Sequence, residues 1–186
     1  HPQYQNTFFE YLNELQSKGL QVFVTSHSPT ITAKSDVNNI SILQRKQSII
    51  QSFSFDELSE DDYPKESKRH LRKFLDTTKA QLFFANGVLL VEGVAEAIII
   101  PILAKKFLTE KIDLCKSGIE LVNIGGVAFN HFGLLFNNDD ERKRLLSKCA
   151  IITDSDPKDN GDISDRAQKA KDLEKHNLKV CLATHT

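Results

Sequence analysis

Four short apolar runs, separated by longer segments of helical pattern, constrain this chain more than any other feature of its sequence. They lie at residues 88–91 (Val-Leu-Leu-Val), 119–124 (Ile-Glu-Leu-Val-Asn-Ile), 149–153 (Cys-Ala-Ile-Ile-Thr) and 178–182 (Leu-Lys-Val-Cys-Leu). Each has the length and β-branched content of a strand buried in a sheet. Between them the pattern predicts helices at about 94–107, 127–147 and 164–176, the second broken near Asn137 and Asn138. Strands that alternate with helices pair in parallel, because each helix carries the chain back along a face of the sheet. Such crossovers are right-handed. The expected fold is α/β, a parallel four-stranded sheet with flanking helices.

Two of these strands end in acids. Glu92 follows the run 88–91, Gly93 turns the backbone, and Glu96 lies one helical turn beyond Glu92. The run 149–153 ends in Asp154-Ser155-Asp156, whose two aspartates point the same way if the chain stays extended. The carboxyl ends of parallel strands are where open α/β sheets bind ligands. Four carboxylates in one cleft raise one another's pKa and call for a cation. Hard ions with oxygen ligands, Mg²⁺ or Mn²⁺, match that need. Plainer roles stand beside this one: acids favour the first turn of a helix, and aspartate is common in turns. Asp159, Asp162 and Asp165 read as solvated loop and helix-start residues, with Ser164 as an N-cap.

The rest of the chain is less specific. It has 186 residues and a net charge of −1, so no global basic field favours nucleic acid and any such contact must be local. Cys115, Cys149 and Cys181 form no CxxC pair, and the last two fall in strand runs, which reads as buried thiols in a reducing cytoplasm. No apolar run approaches the roughly 20 residues that span a bilayer. His131, His176 and His185 lack the spacing of a zinc site. Upstream, Tyr4, Phe8, Tyr11, Leu12 and Leu15 follow a helical period that stops at Gly19. A strand is expected at 20–25, then two more at 39–43 and 48–53. A composition shift places a domain boundary between about residues 55 and 80. Within it, a basic helix at 66–74 with Lys65, Lys68, Arg69, Arg72 and Lys73 offers either a solvated face or a phosphate-contacting patch. Gly125 and Gly126 allow either a tight strand-to-helix turn or close backbone approach to a phosphate.

The combination Leu-Val-Glu-Gly-x-x-Glu at 90–96, Gly125-Gly126 and Asp154-Ser155-Asp156 resembles the Toprim domain of the OLD-family (overcoming lysogenization defect) nucleases, over residues 82–186. The resemblance implies a Rossmann-like Toprim sheet, truncated at its C-terminal end. It also implies metal-dependent DNA endonuclease activity, coupled to ATP in the full-length protein and serving anti-phage defence. Glu92, Asp154 and Asp156 would be catalytic. Two Mg²⁺ or Mn²⁺ ions would sit on Glu92, Glu96, Asp154 and Asp156, and Gly93, Gly125 and Gly126 would allow backbone approach. If the basic helix at 66–74 is a phosphate-contacting patch rather than a solvated face, Lys68, Arg69 and Arg72 would be its DNA contacts. Val94 stands where the family often has a further acid, and a downstream basic residue of the family has no counterpart before Thr186.

A second resemblance concerns the segment 22–29, Val-Phe-Val-Thr-Ser-His-Ser-Pro, which looks like the switch-histidine segment of ABC-type ATPases. His27 would then approach the γ-phosphate of ATP, and the opening His1-Pro2-Gln3 is similar to the stretch after a Walker B acidic pair. No GxxxxGK[ST] loop is present, so an ATP site would be incomplete here. The implied division is an incomplete ABC-ATPase lobe at 1–55, a linker at 56–81 and the Toprim domain at 82–186, in a piece of a longer protein. DNA, a second copy joined through the ATPase domain and a helicase are the implied partners, without a membrane. A topoisomerase- or primase-type Toprim enzyme, or a non-catalytic ATP-driven DNA-binding module, would share the same acids or the same lobe.

Overall fold

Strand runs that are apolar on both faces are stable only inside a sheet covered from both sides, and here the four runs find one another. The structure is a computed structural model that describes residues 2–107, 113–126, 128–158 and 161–183. Strands β3 (Gly87–Val91), β4 (Ile119–Asn123), β5 (Lys148–Asp154) and β6 (Leu178–Ala183) form a parallel sheet in the order β4-β3-β5-β6. Val88 stands opposite Glu120 on one side and Cys149 on the other, so β3 and β5 are central. The helices between them are α5 (Val94–Phe107), α6 (Phe129–Gly133) and α7 (Asp165–Lys171). This is the α/β architecture that the alternation predicts.

The period of two along each strand decides what is buried. Val88 and Leu90 of β3, Cys149 and Ile151 of β5, and Leu178 and Val180 of β6 belong to one core, together with Phe129, Phe132 and Phe136 around α6. Burying an aliphatic or aromatic side chain of this kind stabilises the fold by about 1.5–3 kcal/mol. Cys149 is buried there, and its thiol pKa is raised by desolvation. Cys181 is exposed, against expectation, because it alternates with the inward Val180 on an edge strand.

Two helices are shorter than predicted. The segment 127–147 holds only the one-and-a-half turns of α6, followed by turns and a single 3-10 turn at Glu141–Lys143. Polar side chains here compete with helical hydrogen bonding. Asn138 Oδ1 accepts from Asp140 N (2.9 Å), its amide donates to Asp62 Oδ1 (2.9 Å), and Asp140 accepts from Arg142 N (2.9 Å). Helix α7 begins as expected, with the Ser164 hydroxyl accepting from Ala167 N (3.1 Å). It stops at Lys171 rather than near 176, since Glu174 turns back to accept from Val180 N (3.1 Å) and His176 takes a φ of 51°.

The N-terminal part comprises α1 (Pro2–Ser17), α2 (Pro29–Lys34), the antiparallel hairpin β1 (Ser41–Lys46) and β2 (Ile49–Ser54), α3 (Lys65–Phe74) and α4 (Thr77–Ala80). The hairpin turns at Gln47 and Ser48, so its first strand runs on to Lys46 rather than ending at the expected 43, with Gln47 at a φ of 55°. Residues 20–25 are not a strand: no described strand pairs with them, and Phe23 is 84% exposed. Residues 56–81 pack inward, with Leu58, Tyr63, Leu71 and Leu75 in the same core as the sheet. No described helix is long and apolar enough to cross a membrane. His1, Asp159 and His185 lie outside the described residues.

Candidate functional site

Parallel pairing sets the carboxyl ends of β3 and β5 side by side. Val91 faces Ile152 in register, so the chain leaves β3 at Glu92 just beside Thr153. Two backbone bonds hold this exit in place. Ile124 N donates to Val91 O (3.0 Å), and Gly126 N donates to Glu92 O (2.9 Å). Gly125 and Gly126 adopt φ values of 68° and 127°, a left-handed corner that side chains rarely tolerate. Gly125 N donates to Asn123 Oδ1 (2.8 Å). Both amides of the glycine corner are therefore already paired. The corner acts as a turn that clamps Glu92, and the expected approach of these N–H groups to a phosphate is not available in this conformation.

The Glu92 side chain is 20% exposed and surrounded by donors. The Thr153 hydroxyl donates to Oε1, and Arg166 Nη2 lies 2.5 Å from each carboxylate oxygen. Arg166 Nη2 is also 3.4 Å from Asp156 Oδ2. Asp156 has a φ of 41°, so the chain is no longer extended there, and Asp154 and Asp156 do not simply share a direction as the spacing predicts. Aspartate tolerates this conformation better than most residues. Glu96 sits in the first turn of α5 and folds back over Gly93: a Cβ at Gly93 would meet Glu96 Oε2 at 3.1 Å. Glycine at 93 thus makes room for the second glutamate.

Glu92, Glu96 and Asp154 border one small cleft of about 160 Å³, closed by Ile99, Ile152 and Ala183. Asp156 stands off it, linked through Arg166. Among the described residues, no three His, Cys, Asp or Glu side chains converge closely enough to cage an ion. The donor set nevertheless fits a hard divalent cation. It is made of oxygens alone, it is anionic, and Glu92 already pairs with the Arg166 guanidinium. A larger cavity of about 800 Å³, near Phe84, Ile102, Leu114 and Ile119, is mainly apolar and touches none of the four acids.

Sequence reasoning misses Arg166 and Thr153. Thr153 becomes visible only once the β3–β5 register is known. Arg166 lies 74 residues from Glu92 and carries no spacing signal; the packing of α7 beside the strand ends brings it there. The other expected site residues lie elsewhere. His27 is exposed, with its ring 6.1 Å from that of Phe84. On α3, Lys68 donates to Phe55 O (2.8 Å), Arg72 pairs with Asp36 (3.0 Å) and Arg69 is exposed.

Residues 83–156 match the family described as overcoming lysogenization defect protein-like, TOPRIM domain. That segment is similar to an OLD-like Toprim domain. Both acidic corners and the glycine corner lie within the matched residues, and Arg166 lies beyond them. The chain is also 27% identical over 154 residues to the Old nuclease of Escherichia phage P2, covering 82% of this chain and 26% of that protein. It therefore spans about a quarter of the length of that relative. Two structures of the C-terminal region of the Xanthomonas campestris pv. campestris OLD protein, phased with iodine and with platinum, are 24% and 26% identical to it. Each alignment covers 56% of this chain and 54% of the other, with TM-scores of 0.39 and 0.38.

Proposed function

We propose that the cleft between β3 and β5 is the site of a metal-dependent DNA endonuclease. The observation that carries this reading is the meeting of Glu92, Glu96 and Asp154 on one cleft at strand carboxyl ends, inside an OLD-like Toprim segment. The distant relationship to a protein named as a nuclease supports the reaction class. Glu92 and Asp154 would hold one Mg²⁺ or Mn²⁺, and Glu96 and Asp156 a second. When bound, such ions supply an activated water and charge stabilisation at phosphorus. The chain's own part is positional. Thr153 and the Gly126 amide fix Glu92, and Gly93 admits Glu96.

The same reading divides the chain into an ATPase remnant at 1–55, a connecting segment at 56–81 and the Toprim domain from 82. His27 would serve the ATP site of the full-length protein, and Lys68, Arg69 and Arg72 would lie along the DNA, with Lys68 and Arg72 first leaving their present partners. Pairing of two copies through the ATPase domain and a helicase partner belong to this picture of the full-length protein. The test is nicking of supercoiled plasmid by full-length protein in Mg²⁺ or Mn²⁺. Glu92→Gln combined with Asp154→Asn should abolish it with the fold intact, and retained nicking would remove the cleft from consideration.

A further inference from the structure

We infer that Arg166 is a built-in counter-ion that competes with divalent metal for the Glu92 carboxylate and, once displaced, offers its guanidinium to a DNA backbone phosphate. This rests on the reading of the cleft as a metal site. Arg166 Nη2 contacts both oxygens of Glu92 at 2.5 Å, and the Thr153 hydroxyl takes up more of the same carboxylate. A carboxylate has about four acceptor positions, so few remain for a metal while Arg166 stays. Arginine does not lose its proton in proteins, so the conflict cannot be relieved by neutralisation. The guanidinium has to move.

The structure gives it room and a reason to do so. The Arg166 side chain is 38% exposed, at the mouth of the cleft rather than walled into the core. Its Nε–H is buried and has no acceptor among the described residues. The present arrangement therefore pairs Nη2 closely and leaves the Nε–H of the fork without an acceptor among the described residues. A guanidinium fork is matched by two oxygens of a phosphate, which can engage Nε and Nη together. The expected order is metal first and DNA second, with Arg166 passing from the carboxylate to the phosphate.

The test compares wild-type protein with Arg166→Gln, Arg166→Lys and Lys169→Gln, the last removing an exposed charge from the same helix. Mn²⁺ affinity is measured by isothermal titration. Affinity for a labelled DNA duplex is measured by anisotropy in saturating Ca²⁺. Arg166→Gln should bind Mn²⁺ about tenfold more tightly than Lys169→Gln, the factor that about 1.4 kcal/mol of lost competition represents. Arg166→Lys, which keeps the charge and loses the fork, should fall between them. With metal saturating, Arg166→Gln should bind the duplex several-fold more weakly than Lys169→Gln. Equal Mn²⁺ affinity in Arg166→Gln and Lys169→Gln, both folded by circular dichroism, would overturn the competition. Tighter metal with unchanged DNA affinity would overturn the transfer to phosphate. A Glu92→Gln control separates the two levels: if it binds Mn²⁺ like wild type, the metal cleft itself fails.

Discussion

Strand β3 and the segment 20–25 carry similar side chains, Val-Leu-Leu-Val within one and Leu-Gln-Val-Phe-Val-Thr in the other, and meet opposite ends in the folded chain. Leu90 is fully buried between two parallel neighbours, whereas Phe23 is 84% exposed with no described strand beside it. A strand is thus a property of a sheet, and β-propensity records only fitness for one. Local pattern serves the C-terminal sheet well because all four partners lie within the described chain. The same pattern misleads at 20–25, which no described strand flanks. Helix α5 shows a related contrast. Its Ala104 is buried, while Ile98, Ile102 and Phe107 are 60%, 58% and 69% exposed, so an apolar helix is covered on one side only.

The largest effect should separate these two regions directly. Leu90→Ala should destabilise the protein by about 2–5 kcal/mol, since it leaves a cavity in the middle of the sheet. Phe23→Ala should change stability by less than about 0.5 kcal/mol, as for an ordinary surface substitution. Urea unfolding of both variants measures the difference. A Phe23→Ala cost approaching that of Leu90→Ala would show that 20–25 is buried in solution, and the comparison would break.

A second prediction tests whether the sheet's carboxyl end does what the N-terminal part cannot, namely stabilise the fold on adding metal. Glu92 and Asp154 come from different strands, so ions should bind the native state and hardly bind the unfolded chain. At Mn²⁺ about 100-fold above Kd the gain is roughly 2.7 kcal/mol. Glu92→Gln with Asp154→Asn should erase that gain in a thermal melt. Without metal the same variant should melt below wild type, because Arg166 loses the partner it holds at 2.5 Å. Carboxylate crowding alone would give the opposite sign. An equal metal-induced shift in both proteins would place the ions elsewhere.

These two cases also mark how far sequence reading reaches. The order of elements, the strand runs and the positions of Glu92, Glu96 and Asp154 at the sheet's end follow from period and turn chemistry. The details of the site depend on tertiary facts. Asp156 at a φ of 41° ends the extended alternation that would have aligned it with Asp154. The long helix at 127–147 is replaced by turns at Asn138 and Asp140, and the Asn138 amide donates to Asp62, far away in sequence. Arg166 supplies the cation that the acids require, and only the packing of α7 reveals it.

The third prediction concerns the seam between the two regions. Helix α3 meets α6 through stacked rings of His70 and His131, 4.2 Å apart between centroids. Ser67 Oγ lies 2.9 Å from His131 Nδ1, and Phe74 and Phe132 flank His70. Desolvation lowers both imidazole pKa values. His131, Lys73 and Lys79 lower that of His70 further, against a smaller opposing pull from Glu66. The unfolded chain therefore takes up protons first. The seam's contribution is complete above about 6.5, the ordinary histidine value, and is lost as pH falls through it toward the lowered native values. Melting temperature should drop between pH 7 and 5.5, and His70→Phe should flatten that slope while keeping an aromatic ring in the stack. Parallel pH profiles for the two proteins would show that the seam does not titrate.

The smallest effect belongs to the hairpin, whose strands leave most of their side chains in solvent. Leu43, Ile49 and Ile50 are all about 70% exposed, and only Phe53 from this hairpin is fully buried. The turn forces Gln47 to a φ of 55°, a region that costs a residue with a Cβ roughly 1 kcal/mol. Gln47→Gly removes that cost but adds backbone freedom to the unfolded chain, worth up to about 1 kcal/mol in the other direction. The net expectation is a change within about 0.5 kcal/mol of zero in global stability. The local effect should be clearer. Amide exchange within Ser41–Ser54 should slow in Gln47→Gly, because relief of strain acts in the closed hairpin. Exchange in β3 and β5 should stay as it is. Faster exchange throughout the hairpin would mean that chain entropy outweighs strain at this turn. Slower exchange that also spreads into β3 would mean that the hairpin and the sheet unfold as one unit, which would erase the difference between the two regions.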